Sequence, residues 1–397
     1  MRIVGIIAEY NPFHNGHQYH IKKSLELTGA DAAIVIMSGD FVQRGAPAIL
    51  PKHLRAQMAL KGGASLVIEL PVPYATASAE YFAYGAVSLF NKLGCIDALC
   101  FGSECGDLES LKALAEILVD EPPEYKELLA HYLKQGNTFP LARQYAMRDY
   151  LHSEKVNDIL AEPNNILGIE YLKALYRLNS NIEPYTIQRI SSHYHDQKLQ
   201  DSYSSASAIR NVIKSEDFES LKSQLSKESF EFMKENYQVL YPIYTNDFSL
   251  LLKYCLLHET KETLTQYTDV SEELANRIMN RRNEYVNYEQ FCELLKTKEL
   301  TYARISRALL HILLNIKNNR YTQIEYARIL GFRKCDSDLF SHINKMTKIP
   351  LVTKLSAYPE FDALKLDIQA ADLYESVITD KFGIPFRSEY TQQIIRE

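Results

Sequence analysis

What the chain lacks narrows its class first. No apolar run in its 397 residues approaches the roughly 20 that a bilayer span needs. The opening "MRIVGIIAE" has neither the basic flank nor the small-residue cleavage site of an export signal. A cytoplasmic protein with no membrane partner is expected. Six cysteines (Cys95, Cys100, Cys105, Cys255, Cys292 and Cys335) are present without one C-x-x-C pair, which argues for reduced thiols rather than a zinc or disulfide framework. An excess of positive charge is missing too: the net charge of −6 excludes a surface that binds nucleic acid everywhere, so any such partner must meet a local patch. No internal repeat or low-complexity linker divides the chain.

What is present reads as an ordinary globular composition, 46% hydrophobic and 24% charged, in a chain long enough for two domains. The first half alternates short apolar runs with amphipathic stretches. "IVGIIAE" (3–9), "AAIVIM" (32–37), "SLVIEL" (65–70), "CIDALCF" (95–101) and "EPYTIQRI" (183–190) read as strands. Residues 16–27, 52–63, 79–93 and 205–214 read as helices. That pattern predicts an α/β fold, a Rossmann-like parallel sheet with helices on both faces. Beyond about residue 215 strand signals are few, so a mostly α-helical C-terminal domain is expected. The division is 1–214 and 215–397.

Between the first strand and first helix lies "EYNPFHNGHQYH". In open α/β sheets ligands bind at the carboxyl ends of the strands, and a helix start offers unpaired N–H groups to phosphate. Gly16 lets the backbone approach, and His14 and His17 can donate to phosphate oxygens. A zinc site is the weaker alternative: His20 is near, but no carboxylate or thiol completes a set. Two histidines that merely cap a helix are the bland one. H-x-G-H needs a partner, and "SSASAIR" (204–210) supplies a candidate at the start of a late helix. There Ser204, Ser205 and Ser207 can cap and bond phosphate, and Arg210 can balance its charge.

Together with "VIMSGDFVQRGAPAILPKHLRAQMAL", "GASLVIELPVPYATASAEYFAYGAV", "FGSE" and "PNNILGIEYLKAL", these segments resemble the tRNA(Met) cytidine acetate ligase family of the HxGH nucleotidyltransferase superfamily. The resemblance spans residues 3–210. It implies a two-step, ATP-dependent ligation: acetate is activated as acetyl-adenylate with release of pyrophosphate, and the acetyl group then passes to N4 of the wobble cytidine of elongator tRNA(Met). It also implies an ATP loop over Ile7, Ala8, Glu9, Tyr10, Asn11, Pro12, Phe13, His14, Asn15, Gly16, His17, Gln18, Tyr19 and His20. Further nucleotide contacts would come from Gly102, from Asn164 with Asn165 as its rival, and from Arg189, Ile190, Ser205 and Arg210. His14 and His17 would act at the phosphates. Lys23 and Asp40 are polar candidates for the transition-state charge or for Mg²⁺ held through the ATP phosphates; no protein-bound metal is expected.

A tRNA also needs a surface. Between Thr301 and Lys354 ten Lys/Arg face three acids. Over 302–318, Arg304, Arg307, His311, Asn315 and Asn318 lie opposite an apolar face. "RIMNRR" (277–282) is a second candidate patch. Two rival readings stand beside the ligase: an adenylyltransferase for a small phosphate metabolite, and an RNA-binding protein whose nucleotide site is vestigial.

Overall fold

The computed structural model describes residues 1–189, 204–318, 323–358 and 361–397. β1 (Ile3–Ala8) and β2 (Ala32–Ser38) pair in parallel at the centre of a sheet. Every residue of β2 is buried, because a strand apolar at nearly every position must be covered on both faces. Its alternate side chains enter two separate cores. Ile34 and Ile36 pack with Phe82, Phe90 and Leu111, while Val35 and Met37 pack with Ile21, Met58 and Ile209. At Gly5 in β1 an added Cβ would stand 2.7 Å from the Phe90 ring, so the absent side chain is what lets the helix Ala79–Leu93 lie against the sheet.

After β2 the chain forms a small hairpin, β3 (Phe41–Val42) with β4 (Ala46–Pro47). β5 (Leu66–Leu70) then pairs beyond β2, whereas β6 (Ala98–Ser103) crosses over to the far side of β1 and is followed by β7 (Glu183–Gln188). The strand order therefore reverses between β1 and β6. A crevice opens at such a switch point, outside the carboxyl ends of the strands.

The sheet does not stop at residue 214. β8 (Ala327–Phe332) joins antiparallel to β5, β9 (Leu351–Val352) pairs with β8, and β10 (Ile395–Arg396) extends the same edge. The sheet is thus mostly parallel but mixed, and its strands come from both sides of the 214/215 division. Between these strands the helical part builds its own core from Phe248, Leu252, Leu274, Phe291, Leu309 and Ile378. Its longest helix, Asp362–Phe382, is anchored to the first half: Tyr374 Oη donates to the Ala48 carbonyl at 2.7 Å, and Asp367 Oδ1 accepts from the Val72 N–H at 2.7 Å. Among the described residues no helix is long and apolar enough to cross a membrane.

A buried ion cluster joins these parts. Lys52 Nζ lies 2.9 Å from Glu69 and 2.9 Å from Glu389, with Asp40 at 3.8 Å, and Glu389 also meets Arg328 at 3.2 Å. Burial alone would depress the Lys52 ammonium, but the carboxylates around it hold it above its ordinary range. Removing one member of such a cluster strands the others without compensation. Lys52→Met is expected to cost about 3–5 kcal/mol of unfolding free energy, read by urea denaturation. A loss under about 1 kcal/mol would contradict that role.

Candidate active site

The crevice is floored by the turn from β1 into the helix Asn15–Thr28. His14, in extended conformation, is the N-cap: its Nδ1 accepts from the Gly16 N–H at 3.1 Å, and His17 Nδ1 accepts from the His14 N–H at 3.3 Å. The two imidazoles thus form a reciprocal capping box, a task that serine and glutamate side chains usually perform. This capping has a chemical consequence. With each Nδ1 occupied as an acceptor, the proton of each neutral ring sits on Nε2. The rings lie 3.8 Å apart. Loss of hydration, then the nearby Arg189 and Arg210, lowers His14 to about 3. Loss of hydration, then His14, Arg189 and His20, puts His17 well below its usual value. His20 falls to about 4 by desolvation and Arg189. The site therefore holds neutral imidazole donors, with its positive charge on the arginines.

The second element meets the first directly. Ser205 Oγ caps the helix Ala206–Lys214 by accepting from the Ala208 N–H at 3.1 Å. From that helix the Arg210 guanidinium donates to the Asn11 carbonyl at 2.6 Å and to Ser207 Oγ at 3.0 Å. Arg189, beyond the end of β7, completes the ring. Its amide donates to the Ser103 carbonyl at 2.9 Å, and a Cβ on Gly102 would stand 3.4 Å from its Cγ. Among the described residues, buried Arg189 Nε, His20 Nε2 and the Tyr10 hydroxyl find no hydrogen-bond partner, a cost that a polar ligand would relieve.

One cavity of about 660 Å³ gathers Ile7, Ala8, Glu9, Tyr10, Asn11, His14, Gly16, His17, Tyr19, His20, Gly102, Asn164, Arg189, Ser205 and Arg210 along its walls. Ser204 and Ser207 are there as well. The rest of the expected set lies elsewhere. Phe13 belongs to the core under Gly62, Asn15 reaches away to the Ser223 carbonyl, and Pro12 and Gln18 do not line the cavity. Ile190 falls outside the described residues. Lys23 is on the outer face of its helix, paired with Glu26 at 3.1 Å, which removes it from any role at the phosphates. Asp40 belongs to the buried ion cluster, where its Oδ1 accepts from the Lys52 N–H at 2.7 Å. It is a structural partner of Lys52 and not a group at the reacting atoms.

The two asparagines separate cleanly. Asn165 is buried, with Oδ1 accepting from the Glu104 and Cys105 amides at 2.9 and 3.1 Å and Nδ2 donating to the Ile159 carbonyl, so its amide is engaged by the loop after β6 and by the helix Lys155–Ala161. Asn164 lies on the cavity wall, held by Glu104 Oε1 at 2.5 Å. Sequence reading missed Glu104, which caps the helix Pro163–Arg177 through the Asn165 N–H at 2.9 Å. It also missed Arg55, a fully buried guanidinium that donates to the carbonyls of Glu9, Ser38, Gly39 and Leu50 and so ties together the ends of β1 and β2. A polar residue inside a predicted helix gives no sign of that role. Tyr244, Thr245 and Glu289 bring the helical part to the cavity, which no motif announced.

The expected basic face is corrected. In the helix Tyr302–Leu313, His311 is fully buried between the Thr268 and Thr76 carbonyls, at 3.0 and 3.1 Å, and Arg307 pairs with Asp269 at 2.8 Å. Arg277 and Arg282 of the second patch are spent on the carbonyls of Leu295 and Leu256. Arg320 lies outside the described residues. What stays exposed is a smaller set, Lys334, Lys345, Lys348 and Lys354.

An α/β sheet with capped helix starts and arginines closing on one crevice defines a nucleotide-handling protein of nucleotidyltransferase type. The chain belongs to the HIGH Nucleotidyl Transferase family, whose pattern matches residues 1–384, and within it to the family of the tRNA(Met) cytidine acetate ligases. The protein of that name from Clostridium acetobutylicum is 46% identical over the full length of both chains, and the one from Acetivibrio thermocellus is 41% identical, also over both full lengths. Among solved structures, apo Thermotoga maritima TmcAL superposes with a TM-score of 0.93 at 32% identity, covering 100% of this chain and 99% of that one. The same protein bound with alpha-thio ATP gives 0.91 with the same coverage.

Two outcomes check the site. The depressed histidines stay neutral while the same residues in the unfolded chain take protons below about pH 6.5, so their contribution to stability is present above that pH and is lost as the pH falls toward the folded values. Imidazole NMR signals of His14 and His20 in the ligand-free protein are expected to show no titration between about pH 5.5 and about pH 8; an inflection near 6.5 would refute the neutral site. Asn164→Ala is expected to weaken ATP binding roughly tenfold with little loss of stability, and Asn165→Ala to cost about 1–3 kcal/mol of stability through its stranded amides. Reversal of that split would show the assignment to be wrong.

Proposed function

We propose that this chain is an ATP-dependent ligase that activates acetate as acetyl-adenylate and acetylates N4 of the wobble cytidine of elongator tRNA(Met), giving N4-acetylcytidine. One observation carries the reading: two helix starts, one built on paired neutral histidines and the other on Ser205 and Arg210, close on a single cavity lined by Asn164 and Arg189. The family relationship along the whole chain supports the same activity.

The chemistry follows from that arrangement. ATP lies with its α-phosphate at the His14 and His17 turn and its β- and γ-phosphates toward Arg210. An acetate oxygen attacks the α-phosphorus, and the bond to the bridging oxygen breaks, releasing pyrophosphate. Charge gathers on the phosphate oxygens during this step, where Nε2–H donors and guanidinium groups stabilise it without accepting a proton. Neutral imidazoles suit the task because they donate without changing protonation state near neutral pH. The N4 amine of cytidine then attacks the acetyl carbonyl, AMP leaves, and the amine loses a proton. No covalent enzyme intermediate is needed, so positioning carries the rate.

Magnesium would enter as a companion of the nucleotide. Among the described residues no group of three or more His, Cys, Asp or Glu is placed to hold a metal. The Glu9 carboxylate on the cavity wall already accepts from the Gln43 N–H at 3.0 Å. Mg²⁺ would be held by the phosphates, and no step is assigned to a protein-bound ion.

Incubating the protein with ATP, isotopically labelled acetate and unmodified tRNA(Met), followed by nucleoside mass spectrometry, is expected to give labelled N4-acetylcytidine. His17→Ala should reduce the yield per unit time by at least about a hundredfold. Adenylate transfer to a small phosphate compound, with no labelled nucleoside, would favour the metabolite adenylyltransferase. Tight tRNA binding with no pyrophosphate release would favour the vestigial site.

A further inference from the structure

The Arg210 contact joins the two anion-binding elements on the side facing the cavity. Behind them a second residue joins them again. Gln224 follows the short helical turn Phe218–Ser223 and is 1% exposed. Its backbone carbonyl accepts from the N–H of Asn15, the first residue of the helix Asn15–Thr28, at 2.9 Å. Its side-chain Oε1 accepts from the N–H of Ser204, the residue before the N-cap Ser205, at 2.9 Å. Its Nε2 donates to Ser223 Oγ at 3.0 Å, and the Ser223 carbonyl accepts from Asn15 Nδ2 at 3.0 Å. One residue therefore holds the start of each helix, the first through its main chain and the second through its side chain.

We propose that Gln224 is a positioning residue that sets the spacing between the two helix starts, and thereby the preference of the cavity for a nucleoside triphosphate over a monophosphate. The inference rests on the reading of this cavity as an ATP site. A monophosphate reaches only the His14 and His17 turn, whereas a triphosphate must satisfy that turn and the Ser205–Arg210 element at once. A misplacement on the order of 1 Å between two groups gripping one ligand is enough to forfeit much of the grip. Nothing in the Gln224 side chain touches the cavity, since among the described residues it is not one of the lining groups. Loss of its Oε1 removes the acceptor of the Ser204 N–H and loosens the second element, leaving the first in place on its own capping box.

The test uses the full-length protein and calorimetric titration with ATP and, separately, AMP, with neither acetate nor tRNA present. Gln224→Met keeps the side-chain length and removes the acceptor. It is expected to weaken ATP about tenfold while AMP stays within about twofold of the wild type, so the ratio of the two affinities falls. Gln224→Asn keeps the amide but draws its oxygen back by one methylene, and should move the same ratio in the same direction if Gln224→Met fails to fold. Unchanged ATP affinity, or ATP and AMP weakened by the same factor, overturns the inference, because a merely structural residue would lower both alike. The ligase reading fails separately: a wild-type protein that binds ATP but releases no pyrophosphate with acetate counts against that reading and leaves the affinity ratio to decide the role of Gln224.

Discussion

One charge-assisted hydrogen bond, from the Arg210 guanidinium to the Asn11 carbonyl at 2.6 Å, turns two separate helix starts into one site. Each element alone is ordinary. A capped helix after a strand is found wherever an α/β fold turns, and a serine N-cap is commonplace. Joined across the crevice at the strand-order reversal between β1 and β6, they present N–H groups, imidazole donors and guanidinium charge to the same volume. The rest of the architecture serves that junction. Arg55 ties the ends of β1 and β2, Glu104 fixes the helix that presents Asn164, and the helix Asp362–Phe382 binds the C-terminal part against the first half through Tyr374 and Asp367.

The electrostatic design separates hydrogen bonding from charge. Histidines withdrawn from water beside arginines cannot hold protons at neutral pH, so they act as oriented dipoles, and their orientation is set by the same Nδ1 contacts that cap the helix. Charge is left to Arg189 and Arg210. Burial of a guanidinium without a full complement of partners is costly, and Arg189 Nε, which has no hydrogen-bond partner among the described residues, marks where that cost is carried. Stability is spent at the site and recovered in the cores around the sheet.

Much of this could be read in the residues themselves. The alternation of "IVGIIA", "AAIVIMS" and "LVIEL" with amphipathic stretches identifies the parallel sheet, because buried parallel strands have no polar face to show. H-x-G-H and the serine-rich cap were visible because their spacing follows helix geometry. Other features were hidden for physical reasons. "ARILGF" looks like one more apolar piece of a helical region, and only its pairing with β5 makes it β8. His311 and Ser306 sit at polar positions of a helix, yet both point inward to carbonyls, Ser306 to that of Gly45 at 2.7 Å, so periodicity alone placed on a basic face a histidine that the protein buries. Asp40 follows the β2 strand as a catalytic acid might, but its partner Lys52 is in turn held by Glu389, near the far end of the chain. Contacts of that range leave no trace in local sequence.

The most direct measurement is a crystal structure of the protein with a non-hydrolysable ATP analogue, read at the phosphates. The account predicts a single triphosphate chain touching His14 or His17 Nε2 at one end and the Ser205–Arg210 element at the other, with Arg189 against it. A nucleotide held by only one of the two elements, or seated outside the crevice between β1 and β6, would contradict it.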